Sequence, residues 1–172
     1  RCPQADGFVG VSGYEDIAQV IAQALEDQHP AHFGDIDAPV PETDRVVCTS
    51  DYWAWLRIAE GCDNRCAYCI IPFIRGKFRS RPEEAILAEA QDLAQAGMQE
   101  LIVVAQDITR YGLDLYGART LAKLLPKLCA IEGIHWVRLH YLYPDEITDE
   151  LIDVIASEPK IVKYLDIPIQ HI

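Results

Sequence analysis

The sequence is short of several things, and each shortage excludes a class of protein. It has no long apolar run: the strongest, Leu101 to Ala105, is strand-sized, whereas a helix needs ~20 apolar residues to cross a bilayer. It has no surplus of cations, since 15 Lys and Arg stand against 27 Asp and Glu for a net charge of −12. A surface of that sign repels phosphate backbones, so nucleic-acid binding by these residues is not expected. The only methionine is Met98, and no basic stretch followed by an apolar one opens the chain, so no signal peptide is visible. The expectation is a piece of a longer cytoplasmic protein that meets no membrane.

A fourth clustered cysteine is also missing. Of six cysteines, Cys62, Cys66 and Cys69 fall within eight residues, while Cys2, Cys48 and Cys129 are scattered. Tight clustering without a secretory signal favours metal in a reducing compartment over disulfides. Thiolates are soft ligands suited to zinc or iron–sulfur clusters. Structural zinc takes four closed ligands, and clusters that only carry electrons normally take four cysteines. Three thiolates leave one metal position open, where a substrate can bind. A zinc site completed by a distant histidine, or an electron-carrying module without catalysis, stays open as an alternative.

What is present reads as 172 residues of ordinary globular composition, 50% hydrophobic and 24% charged. A short strand around Gly7 to Gly10 precedes an amphipathic helix with Ile17, Val20, Ile21, Ala24 and Leu25 at helical spacing. Residues 26–50 carry Pro30, Pro39 and Pro41 among acidic residues, which is linker composition. His29, His32, Asp35 and Asp37 there read as solvated loop residues rather than metal ligands.

From Trp53 a rhythm of strands and helices begins. "WAWLRIA" reads as a strand ending at Gly61, and "SRPEEAILAEAQDLAQAG" as a helix, with Ser80 placed as its cap, Glu83 completing the box and Gly97 closing it. "LIVVAQ" is a second strand. A helix bearing Leu121, Leu124, Leu125 and Leu128 follows, in which Pro126 should cause a kink or an early end. "IHWVRLHYLY" reads as a third strand, "TDELIDVIAS" as a helix capped by Thr148, and "KYLDIPIQH" as a fourth strand. Repeated βα units predict an α/β fold with a parallel sheet, either an open doubly wound sheet or a barrel. In both, chemistry sits at the carboxyl ends of the strands. That rim would carry the three cysteines, Gln106 and Asp107, His140 to Tyr143, and Gln170 with His171. Arg75, Lys77, Arg79 and Arg81 form a run of cations, either a solvated loop or a patch that steers an anionic substrate.

"CDNRCAYC", with its CxxxCxxC spacing and Tyr68 before the last cysteine, resembles the radical S-adenosylmethionine (SAM) enzymes. "EGCDNRCAYCIIPFIRGKFRSRP" resembles their methylthiotransferase branch, whose pattern runs roughly GCNxxCxxCxxPxxRGxxxSRP. "AQDITRYG", "RLHYLYP" and "YLDIPIQH" are more similar to the members that modify a ribosomal protein than to those that modify tRNA. The match runs from about Trp53 to the end, and Arg1 to Leu25 resembles the close of the family's N-terminal domain.

The resemblance implies a parallel βα-repeat forming a partial TIM-like radical SAM barrel, truncated after about four strands and preceded by the end of an N-terminal α/β domain. The domains would be 1–25, a linker over 26–50 and an incomplete core over 51–172. It implies a 4Fe-4S cluster on Cys62, Cys66 and Cys69, with SAM on the open iron beside Tyr68, Gln106, Asp107 and Gln170. It implies a reducing electron donor and an aspartate of protein twelve of the small ribosomal subunit as substrate, methylthiolated at its β-carbon. A second 4Fe-4S cluster would belong to residues upstream of Arg1.

Overall fold

The structure, a computed structural model, describes residues 4–39, 41–42, 45–48 and 50–169. Near its start β1 (Phe8–Val9) pairs in parallel with β2 (Ala31–His32) across α1 (Ile17–Leu25). The segment that reads as linker therefore contributes a strand. Of the stripe predicted on α1 only Val20 is buried, because the small β1–β2 pair offers little to pack against.

The main unit then runs β3 (Trp53–Arg57), β4 (Ala59–Glu60), α2 (Ile71–Arg75), β5 (Arg79–Ser80), α3 (Glu83–Gln95) and β6 (Glu100–Val104). It continues through α4 (Leu113–Tyr116), α5 (Leu121–Cys129), β7 (Trp136–Leu139), α6 (Asp149–Ser157) and β8 (Ile161–Leu165). Strands β3, β6, β7 and β8 lie side by side in that order, all parallel. A doubly wound sheet reverses its order at a switch point, whereas a barrel never does. Of the two architectures the sequence allows, this is the partial barrel.

Right-handed crossovers place α3, α5 and α6 on a single face. Ala54, Leu56, Leu101, Val103, Val137 and Leu139 point there and are buried with Ile86, Leu93, Leu124, Leu128 and Leu151. Each such Leu or Ile is worth roughly 1.5–3 kcal/mol of burial. The register sets Trp53, Glu100 and Trp136 in one row of the opposite face and Trp55, Ile102 and Arg138 in the next. Those aromatic rings remain partly exposed: Trp136 is 51% accessible, Trp55 36%.

Local signals succeed and fail for identifiable reasons. Gly97 closes α3 at φ +96°, and the Thr148 hydroxyl accepts the Leu151 N–H at 3.2 Å. Ser80, however, does not cap α3. It lies in β5, where Asp114 accepts both its N–H (2.9 Å) and its hydroxyl (2.6 Å). Pro82 takes the cap position, and the Tyr116 hydroxyl accepts the Glu83 N–H at 3.0 Å. α5 continues past Pro126 to Cys129. The predicted first strand divides after Arg57 so that β4 can pair antiparallel with β5. The third strand ends at Leu139, before Tyr141 takes a left-handed conformation at φ +64°. The fourth spans Ile161–Leu165, and Gln170 and His171 lie outside the described residues.

Candidate metal centre

Gly61 turns the chain out of β4 at φ +79° into the cysteine loop, and only glycine fits: a Cβ there would stand 2.0 Å from the Lys77 carbonyl oxygen. The Cys62 N–H donates to Gly76 O at 3.2 Å, closing the loop at its neck. Within it, the Cys69 N–H donates to Cys66 O at 2.9 Å, and Arg65 is left-handed at φ +49°.

Cys62, Cys66 and Cys69 are half-buried and line one cavity of about 570 Å³. Its other walls come from the ends of the neighbouring strands: Val104 to Gln106 at the end of β6, Tyr141 to Tyr143 after β7, and Pro168 after β8. The carboxyl rim predicted for chemistry is therefore where the cavity lies. Cys66 and Cys69 also line an outer cleft of about 460 Å³ with Arg65, Phe73 and Lys77, so the loop is a thin wall between two spaces.

Among the described residues no three His, Cys, Asp or Glu side chains converge closely enough to hold a single metal ion. Zinc needs every ligand within about 2.3 Å of one point. The three thiols share one cavity, and thiolates suit zinc or iron–sulfur clusters alike. Burial pushes the Cys62 thiol up from its ordinary range; the Asn64 backbone N–H pulls it down, while Asp107, Cys69 and Cys66 add to the rise. Loading metal there must displace a proton.

The other candidates separate. Gln106 lines the cavity, and its Oε1 is buried without a hydrogen-bond donor. Asp107, only 2% exposed, has both carboxylate oxygens occupied. Oδ1 accepts from the Thr109 N–H at 3.0 Å and from the Thr109 hydroxyl, and Oδ2 accepts from Asn64 Nδ2 at 2.9 Å. Tyr68 lines the cavity and is 75% exposed. His140 packs edge-on against Trp55, at 5.6 Å between ring centres, with Asp166 Oδ2 3.8 Å from its Nδ1.

The cation run is neither a solvated loop nor a free steering patch. Arg75 binds Glu60 at 2.8 Å, and Arg79 donates to the carbonyls of Arg75 and Lys77. Arg81, with its side chain 7% exposed, binds Glu42 and Glu89. Burial alone would lower the Arg81 guanidinium, but those two carboxylates hold it above its ordinary value. Only Lys77 leaves its side chain exposed, and its N–H donates to Asp37 at 2.8 Å. Sequence reasoning passed over Glu60, a buried carboxylate bridging Arg57 (3.0 Å) and Arg75 at the cavity wall, and Asn64. Short spacing carries no signal for either.

Residues 56–172 match the family model described as the Radical SAM superfamily. The chain is 51% identical over 98% of its length to the ribosomal protein uS12 methylthiotransferase RimO of Lachnoclostridium phytofermentans, covering 39% of that protein. It is 49% identical over 98% of its length to the protein of the same name from Symbiobacterium thermophilum, covering 35% of it. The chain thus spans less than half the length of the curated relatives it matches. Among solved structures, the radical SAM methyltransferase TsrM of Kitasatospora setae, with cobalamin and a 4Fe-4S cluster bound, superposes at TM-score 0.52 and 17% identity. That match covers 67% of this chain and 22% of TsrM, a likeness of fold.

Proposed function

The chain belongs to the radical SAM superfamily, and from that premise we propose that it forms the cofactor-binding half-barrel of a methylthiotransferase acting on ribosomal protein uS12. The observation that carries the reading is the meeting of three thiols with an unsatisfied buried acceptor in one cavity at the carboxyl rim. Membership implies a 4Fe-4S cluster and SAM, and the donor set fits both. Three thiolates are the complement for a cluster with one open iron. The Gln106 oxygen wants a donor such as the ammonium of SAM.

When bound, the cluster and SAM together supply the reagent that takes hydrogen from an unactivated carbon. The chain's own residues bind, orient and exclude water. Cys62, Cys66 and Cys69 would hold the iron, Gln106 would accept from the SAM amino group, and Tyr68 would lie beside the adenine, all of them lining the one cavity. Glu60, gripped by Arg57 and Arg75, keeps the wall beside the cysteines fixed. Val104, Ala105 and Leu142 keep the floor apolar. The outer cleft at Cys66 and Cys69 supports electron delivery by a reducing partner from the side away from the cavity.

The substrate assignment, an aspartate of uS12 methylthiolated at its β-carbon, rests on the curated relatives named above and on the resemblance of "AQDITRYG" and "RLHYLYP". A second cluster elsewhere in the intact protein and work in the reducing cytoplasm belong to the same reading. No helix among the described residues is long and apolar enough to cross a membrane.

The test is anaerobic reconstitution of the intact protein with iron and sulfide, followed by dithionite and SAM. Release of deoxyadenosine, and a mass gain on uS12 but not on tRNA, is the expected result. Cys66→Ala should abolish release without changing the far-ultraviolet circular dichroism. Full release by that variant would remove the site assignment, and modification of tRNA instead of uS12 would remove the substrate.

A further inference from the structure

We infer that Asn64 is the positioning residue of the metal loop and that it works by tying the loop to the end of the neighbouring strand. This rests on the reading of Cys62, Cys66 and Cys69 as cluster ligands. The side-chain amide of Asn64 is used at both ends: Nδ2 donates to Asp107 Oδ2 at 2.9 Å, and Oδ1 accepts from Arg110 Nη1 at 3.0 Å. A carboxylate only accepts and a guanidinium only donates, so one amide orientation alone satisfies both partners.

The anchor is rigid. Asp107 is 2% exposed and caps the turn Ile108–Arg110 through Thr109, so it cannot move without stranding buried donors. The first half of the loop joins the neighbouring strand through the Asn64 side chain. Arg65 is left-handed and exposed, and Cys62 is bonded through its backbone only at the neck. Asp107 follows Gln106 directly. Asn64 therefore fixes the separation between the thiols and the Gln106 acceptor, across 43 positions of sequence. Without it both halves of the site would be present but out of register, since such supporting contacts govern where ligands point.

The experiment uses the intact protein, reconstituted anaerobically, and reads iron loss to a ferrous chelator and the electron paramagnetic resonance spectrum of the reduced cluster with and without SAM. Asn64→Asp sets one carboxylate against another and should lose iron about 10-fold faster, with a weakened spectral response to SAM. Asn64→Asp combined with Asp107→Asn exchanges donor and acceptor while leaving Arg110 an anionic partner. That double variant should return iron loss and spectrum to the wild-type values. Wild-type behaviour of Asn64→Asp, or a double variant as defective as the single one, overturns the inference. A wild-type protein that takes up no cluster refutes the ligand reading instead, which keeps the two failures apart.

Discussion

The half-barrel and the cysteine loop are held by different physics. In the half-barrel, four parallel strands share a backbone ladder, and a continuous apolar layer from Ala54 to Ile161 is sealed by three helices. Many small contributions add there, and no single one decides the outcome. The loop between Gly61 and Gly76 exposes its apolar side chains, with Phe73 79% and Ile70 59% accessible. It relies on individual polar ties: Asn64 to Asp107, Arg75 to Glu60, and Cys62 to Gly76. The stable part of the molecule carries the scaffold, and the loop proposed to hold the cluster is drawn from the least redundant contacts.

That contrast can be broken from either side. The largest effect should come from the core. Leu124→Ala, at a fully buried position, should cost about 2–5 kcal/mol of unfolding free energy. Chemical denaturation will measure it, and iron uptake by the folded fraction should stay at the wild-type stoichiometry. Glu60→Gln attacks the loop instead. It removes the charge shared by Arg57 and Arg75, at about 1–3 kcal/mol, and limited proteolysis should then nick the chain between 61 and 76 before the βα units open. Equal protection of the two regions would show that they are not separate.

The smallest effect concerns Cys129, whose burial pushes its thiol up from 9.0 to about 11. The folded state resists losing that proton, so stability is full below pH 9 and declines as pH rises toward 11, by about 1 kcal/mol at pH 10. Cys129→Ala should flatten that part of the stability–pH curve. At neutral pH the same thiol should resist a labelling reagent that modifies exposed Cys48.

The βα rhythm and the rim were legible because both are written in short-range pattern: "LIVVAQ" announces a buried parallel strand, and CxxxCxxC announces three cysteines that line one cavity. Ser80 misled because its local signal is a helix cap, while its partner Asp114 lies 34 positions away. The cations from Arg75 to Arg81 read as free for the same reason. Their carboxylates, Glu60, Glu42 and Glu89, belong to other segments. The tie from Asn64 to Asp107 crosses 43 positions and leaves no periodic trace. Local chemistry was readable, and pairings across the fold were not.

Gly61 and Lys77 meet backbone to backbone, beside the two rungs that join β4 to β5. The loop is thereby a purse drawn shut at its mouth. Residues inside it that carry no tie to the barrel can be exchanged with little effect on the strands, whereas Asn64 and Arg75, bonded to Asp107 and Glu60, cannot. Anyone re-tailoring this scaffold for a different cargo has a place to cut, provided the drawstring stays a glycine.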